Sequence, residues 1–325
     1  MLAYLLRKFL LTLSIIFGVI LLTFVLFNVV AKDPVRAMGG KQMKETDRIR
    51  ITHEMGLDKP RFALNFAEYH ETGSKWSLLD TQFFNILAFQ FPKSQRHQES
   101  VWSLFGRKAP ISFLVQAPAF VIGLGLQIAI AIIVAAKRKS VLDYSTTFAA
   151  VLMMSIPGLS IYLAFQWFFG AYLKIFPVAG WSPGFLLAIH FAAMPILVSV
   201  IANLGSSIRF YRTVALEEVN ADYVRTARAK GVSQTNVLLV HVLRNLLIPV
   251  VTNTIVALPF LLTGALVLEK MFQIPGFGGL LTEAIGANDS PVIMAEVYLT
   301  AIAYAIMLFV TDICYTLVDP RVVLR

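Results

Sequence analysis

The chain has 325 residues, of which 57% are hydrophobic and only 14% charged. An ordinary soluble domain carries about 25% charged residues, so this chain has too few charges to coat a water-exposed surface, and lipid is the expected solvent. The net charge of +9 suggests an anionic partner such as nucleic acid only if the chain is soluble, and its single cysteine, Cys314, excludes an internal disulfide and a multi-cysteine metal site.

A helix needs about 20 mostly apolar residues to cross a bilayer. Six stretches qualify, at about 9–30, 111–136, 144–169, 184–203, 248–268 and 297–318. The prediction is an all-α membrane protein with six transmembrane helices and an external segment between the first two. None of the six stretches contains Arg or Lys, and only the last contains an acid, Asp312. The first is flanked like a secretory signal, with Arg7 and Lys8 before it and Val29-Val30-Ala31 after it. Its apolar run exceeds the 7–15-residue core of such a signal, so it reads as a retained helix. The chain therefore divides into residues 1–30 (N-terminus and first helix), an external segment 31–110, and a core 111–325 that includes a cytoplasmic region 204–247.

Basic residues orient the helices, because short cytoplasmic loops are enriched in them. The loop 137–143 holds three and the stretch 204–247 holds six, whereas 170–183 has only Lys174 and 269–296 only Lys270. Both termini and the basic loops are expected in the cytoplasm. The external segment carries 13 basic residues, which long loops tolerate during translocation. The positive charge is thus topological, and nucleic acid is not an expected partner.

Within the external segment, a short amphipathic helix is expected at about 45–55, ended by Leu57-Asp58-Lys59-Pro60. Aromatic residues follow, among them Phe66, Trp76, Phe89, Phe91 and Trp102. They suit a compact cap or a surface that receives a partner protein. Gly39-Gly40-Lys41 is not a phosphate loop, since Val35 stands where the first glycine belongs.

The cytoplasmic stretch is too polar to cross a membrane but is helical in pattern. Leu216, Val219, Tyr223 and Ala227 recur at helical spacing. Glu217 and Glu218 sit early, and Arg228 and Lys230 late, as the helix dipole favours. Gly231 can end the helix in the left-handed conformation, and Ser233 can cap the next one. Geometry alone leaves two readings: a helix resting on the bilayer, or a lever docked into a cytoplasmic partner.

Single residues in the spans carry less. Asp312 reads as a packing or inter-subunit group, and His190 as a bonded packing residue. Pro157, Pro195 and Pro259 read as kinks or hinges, while Gly123, Gly125, Gly264 and Ala265 allow close helix contact. The sequence has no HExxH, no GxSxG and no phosphate loop, so no catalytic centre is expected.

The run Asp222-Tyr223-Val224-Arg225-Thr226-Ala227-Arg228-Ala229-Lys230-Gly231, with His241-Val242-Leu243-Arg244-Asn245 and Ile248-Pro249-Val250 after it, closely resembles the inner-membrane permeases of dipeptide and oligopeptide ABC importers. More narrowly, it is similar to the first of their two permease subunits. Leu5-Leu6-Arg7-Lys8, Gly56-Leu57-Asp58-Lys59-Pro60, Ser155-Ile156-Pro157-Gly158, Pro177-Val178-Ala179-Gly180-Trp181, Pro275-Gly276-Phe277-Gly278 and Asp319-Pro320-Arg321 extend the resemblance over most of the chain. Arg225-Thr226-Ala227 replaces the Glu-Ala-Ala that opens the general importer signature, as is common in peptide permeases. Ala31-Lys32-Asp33-Pro34 replaces the usual Pro-Gly-Asp-Pro, and an aromatic-rich stretch at 83–94 replaces a Gly-Asp-Leu-Gly run.

The resemblance implies a type I importer permease in the bacterial inner membrane. Its partners would be a second permease, two ATP-binding subunits, an extracytoplasmic binding protein and a peptide cargo. Glu217, Glu218, Asp222, Tyr223, Arg225, Thr226, Ala227, Arg228, Ala229, Lys230 and Gly231 would form the coupling helix that enters the ATPase. The chain would bind no cofactor, since ATP and magnesium belong to the ATPase subunits. Related permeases import nickel chelates, sugars, opines or antimicrobial peptides. A proton-driven secondary transporter is the competing class, and it leaves the coupling run unexplained.

Overall fold

The computed structural model describes residues 2–25, 44–54, 85, 88–263 and 265–318, and all regular structure among them is helical. The aromatic residues at 62–84, Leu57-Asp58-Lys59-Pro60, Gly39-Gly40-Lys41 and the Asp319-Pro320-Arg321 tail lie outside the described residues. Among the described residues, four helices are each long and apolar enough to cross a membrane: Leu6–Val25, Val101–Ala136, Leu186–Val219 and Ser290–Cys314. Two bent pairs bring the number to six if each pair is one span.

The chain forms two compact units. The first comprises residues 1–108, 280–312 and 323–325. Here α1 (Leu2–Val25) pairs with α12 (Ser290–Val318). Lys8 Nζ lies 3.0 Å from Asp312 Oδ2, and the rings of Phe9 and Phe309 meet edge to face at 6.1 Å. Further along, Ile20 packs on Met294 and Tyr298, and the Tyr298 hydroxyl donates to the Ile20 carbonyl at 3.3 Å. Residue numbers rise along one helix as they fall along the other, so the pair is antiparallel. The unit also holds α2 (Glu45–Glu54), close to the expected 45–55 helix. The buried Asp289 organises the loop before α3: it accepts from Ser94 Oγ (2.5 Å) and from the backbone N–H groups of Gln95 and Arg96.

The second unit comprises residues 109–279 and 313–322. It contains most of α3 (Val101–Ala136), then α4 (Val141–Ser155) and α5 (Gly158–Phe165), the last continued by a π-helical stretch Gln166–Tyr172. The third predicted span is thus two helices meeting at 97°. Local chemistry accounts for the break: Ile156 is extended (φ −93°, ψ 124°), as a residue before proline prefers, and Pro157 opens α5 rather than bending one helix. By contrast, Pro195 stands inside α6 (Phe185–Val219), a continuous helix of 35 residues and about 52 Å. This is longer than the predicted 184–203 span and longer than the roughly 30 Å of bilayer hydrocarbon. The excess carries the chain out toward the polar stretch.

α4 packs on α6 through Gly205. A Cβ on Gly205 would come within 2.8 Å of the Ala150 carbonyl oxygen and 3.0 Å of Met153 Cβ, so the small residue sets the helix separation. α9 (Leu243–Thr263) closes against the same bundle, with Leu246 and Val250 buried on Ala131, Ala135, Tyr211 and Ala215. Pro259 lies within α9. α10 (Leu266–Phe272) follows, and α11 (Phe277–Ala287) begins at the end of this unit.

Candidate coupling site

Between α6 and α9 the chain makes a two-step elbow. α6 ends at Val219, where the Asn220 side chain turns back to donate to the Leu216 carbonyl at 2.6 Å. Asn favours such local bonding over helix continuation. After Ala221, α7 (Asp222–Ala229) begins in a new direction. The single amphipathic helix expected around residues 217–231 is therefore split. Glu217 and Glu218 belong to the last turn of α6, and Asp222 is the acid in the first turn of α7, with Arg228 in its last. That arrangement suits the dipole of α7.

α7 presents two faces. Val224 and Ala227 are buried and pack with Val237 and Val242. Asp222, Tyr223, Arg225, Thr226, Arg228, Ala229 and Lys230 are exposed. The Asp222–Arg225 contact at 3.4 Å lies in solvent and contributes little. Thr226 Oγ1 donates to the Asp222 carbonyl at 3.0 Å. The Tyr223 hydroxyl donates to Glu218 across the α6–α7 break and also bonds Asn245 of α9. Burial, and then Glu218, push this phenol up to about 12, so it remains a neutral donor at any physiological pH.

The end of α7 is a Schellman motif. Val232 N donates to the Ala227 carbonyl at 3.2 Å, and Gly231 N to the Arg228 carbonyl at 3.0 Å. Gly231 has φ +78°, and a Cβ there would meet nothing within 4 Å. Backbone conformation, not space, is what calls for glycine. Ser233 then caps the next turn, α8 (Gln234–Asn236), accepting from Asn236 N at 3.4 Å. A π-helical stretch Val237–Val242 leads into α9.

Two buried carboxylates that support the unit were not singled out from the sequence. Asp143, on α4, accepts from Arg212 Nε of α6 at 2.6 Å and from Lys139 N at 2.9 Å, and Ser140 Oγ caps the same helix. The Ser140-x-x-Asp143 spacing marks the cap, but nothing local points to Arg212. Glu269, on α10, is fully buried and accepts from Ser112 Oγ at 2.6 Å and Gly279 N at 2.9 Å. Ser112 Oγ in turn accepts from Phe277 N at 2.7 Å. Burial pushes the Glu269 carboxyl above its ordinary range, while these donors pull it down. A Cβ on Gly276 would lie 2.5 Å from Ser112 Oγ and closer still to Glu269. The Pro275-Gly276-Phe277-Gly278 run is therefore a glycine-lined wrap around a carboxylate.

Pro157, Pro195 and Pro259 lie in or between membrane helices, and Asp312 pairs with Lys8. Among the described residues no cluster of three or more His, Cys, Asp or Glu could hold a metal ion.

Comparison with known proteins gives a consistent picture. Residues 127–324 match the binding-protein-dependent transport system inner membrane component family, and residues 1–115 match the N-terminal domain of such membrane components. The chain is 35% identical to the dipeptide transport system permease protein DppB of Bacillus subtilis, over 74% of this chain and 77% of that one. It is 29% identical to the oligopeptide transport system permease protein AppB of the same organism, over 99% of both chains. It is 30% identical to DppB of Lactococcus lactis, again over 99% of both. With its apolar helices and these matches along nearly its whole length, the chain belongs to the inner membrane component family of binding-protein-dependent transport systems.

Proposed function

We propose that this chain is one permease subunit of an ATP-driven peptide importer, and that α7 is the lever through which ATP hydrolysis moves it. It pairs with a second permease, rests on two ATP-binding subunits that hold the ATP and magnesium, and receives peptide from an extracytoplasmic binding protein. Its termini and the α6–α9 elbow face the cytoplasm, as the basic residues of 137–143 and 204–247 favour.

The observation that carries this reading is the geometry of α7. Its short exposed face is clamped at one end by the Gly231 turn and at the other by the Tyr223–Glu218 bond. On that face Arg225, Arg228 and Lys230 outnumber Asp222, so its electrostatic complement is an acidic groove. Val224 and Ala227 bolt it to the π-helical stretch Val237–Val242 that leads into α9. A push on α7 is therefore delivered to α6 and α9 together, which is how rocking between two access states is driven. The relatives named for peptide and dipeptide transport support the cargo.

The test is reconstitution with the neighbouring permease, ATPases and binding protein in vesicles, with peptide uptake and ATP hydrolysis measured together. ATP-dependent peptide accumulation is the expected result. Uptake that follows an imposed proton gradient and ignores ATP would refute the assignment.

A further inference from the structure

The loop between α3 and α4 gathers cations that the chain itself does not use. Lys137, Arg138 and Lys139 are consecutive and exposed. Among the described residues, none of their side chains has an ion-pair partner. The acid nearest them in sequence, Asp143, is buried and already taken by Arg212 and by the Lys139 backbone N–H. It therefore leaves the positive charge of the loop uncompensated.

Immediately after the loop, α4 turns an apolar stripe outward. Val141 is 85% exposed, Tyr144 and Phe148 are each 66% exposed, and Leu152 follows. Spacings of three and four residues put these on one face of the helix. Asp143 and Ala150, both buried, stand on the opposite face, toward Arg212 and Gly205 of α6. With 15 residues α4 is about 22 Å long, more than one leaflet's half of the roughly 30 Å of hydrocarbon. The cations thus stand at the head of a stripe that runs the depth of a leaflet.

We propose that this corner of α3 and α4 is a binding site for an anionic phospholipid. An occupant has to satisfy the cations and the stripe together. An ATPase subunit outside the bilayer can neutralise the cations, but it cannot follow the stripe into the hydrocarbon. A second permease can cover the stripe, but it brings basic loops of its own to the same membrane face, and like charges repel. A phospholipid with an anionic head carries both parts in one molecule. Its phosphate meets Lys137, Arg138 and Lys139, its acyl chain lies on Phe148 and Leu152, and the amphipathic Tyr144 ring sits at headgroup level. The inference needs α4 to lie in the bilayer and is independent of the cargo.

The test places the complete transporter in phosphatidylcholine nanodiscs with a trace of phosphatidylglycerol that carries a diazirine on its acyl chain. After illumination, adducts are mapped by peptide mass spectrometry. They are expected on residues 141–152, several-fold above those from a phosphatidylcholine label with the same chains, and displaced by unlabelled phosphatidylglycerol. Lys137→Gln and Arg138→Gln are made singly, so that two cations remain to orient the helices. Each is expected to raise the phosphatidylglycerol needed for half-maximal labelling about fivefold, the effect of one lost charge at an anionic lipid surface, with phosphatidylcholine labelling unchanged. Equal labelling by the two lipids overturns the proposal, because α4 then meets only the bulk bilayer. Undiminished phosphatidylglycerol labelling in both variants overturns it too, as does displacement of the label by glycerol 3-phosphate, which would make this a site for free phosphate. As a second measurement, Val141→Cys in a Cys314→Ser chain is oxidised in the same nanodiscs with single cysteines along the second permease. A disulfide there in place of lipid adducts overturns the site; lipid adducts without a disulfide support it.

Discussion

Replacing Gly231 should weaken coupling in an order set by backbone conformation and not by side-chain size. The residue has φ +78° and open space around the missing Cβ, so a new side chain meets no clash. What it meets is the left-handed backbone penalty, about 1–2 kcal/mol for alanine, less for asparagine and more for a β-branched residue. A penalty of 1.4 kcal/mol shifts a local equilibrium tenfold. The chain escapes the penalty by opening the Gly231–Arg228 and Val232–Ala227 bonds, which frees the end of α7. Gly231→Asn should therefore stay close to wild type, Gly231→Ala should lose a large part of its peptide transported per ATP hydrolysed, and Gly231→Val should lose most of it. The assay is uptake and phosphate release measured in the same vesicles, with membrane insertion checked by protease protection. If valine performs like glycine, or if asparagine fails as badly as valine, the Schellman turn is not what aims α7.

Four further outcomes follow from bonds described above. Asp143→Asn or Arg212→Met breaks a buried ion pair and should each destabilise the chain by about 3 kcal/mol; the double variant should be little worse than either single one, read from thermal midpoints in detergent. Gly276→Ala pushes a Cβ into the Ser112–Glu269 contact and should lower stability by about 1–3 kcal/mol. Because burial raises the Glu269 carboxyl above 4.5, its protonated form favours the folded state; that contribution is complete below pH 4.5 and is lost as pH climbs through the raised value. The stability difference between wild type and Glu269→Gln should narrow or reverse over that rise, and a difference flat with pH refutes the assignment. Tyr223→Phe, which loses the partly exposed bonds to Glu218 and Asn245, should cost about 1–2 kcal/mol with no change between pH 6 and 9, since the phenol titrates only at about 12.

What could be read from the sequence was what is local. Gly231 and Ser233 are legible because a helix stop and a cap are decided within four residues. The apolar lengths are legible because bilayer thickness decides them. Pro157 was legible as a perturbation but not in size: whether proline kinks a helix or separates two depends on what the flanking helices pack against, and here the bend is 97°. The division at Asn220 was hidden because Leu216, Val219, Tyr223 and Ala227 keep helical spacing across a break of two residues. Glu269 meets Ser112 across 157 positions, and Arg212 meets Asp143 across 69. No periodicity reports such distances.

The antiparallel pairing of α1 with α12 has a consequence for how the protein is made. α1 emerges from the ribosome first, yet Ile20 waits for Met294 and Tyr298, and Lys8 for Asp312. At about 5–20 residues per second, the 265 residues from Val25 to Ser290 take roughly a quarter of a minute to most of a minute to synthesise. Throughout that interval the contacts that α12 brings to the first helix are still unmade. The closing of that seam is a time stamp: a chain whose synthesis stops short of α12 lacks the Met294, Tyr298 and Asp312 contacts that its first helix ends up making.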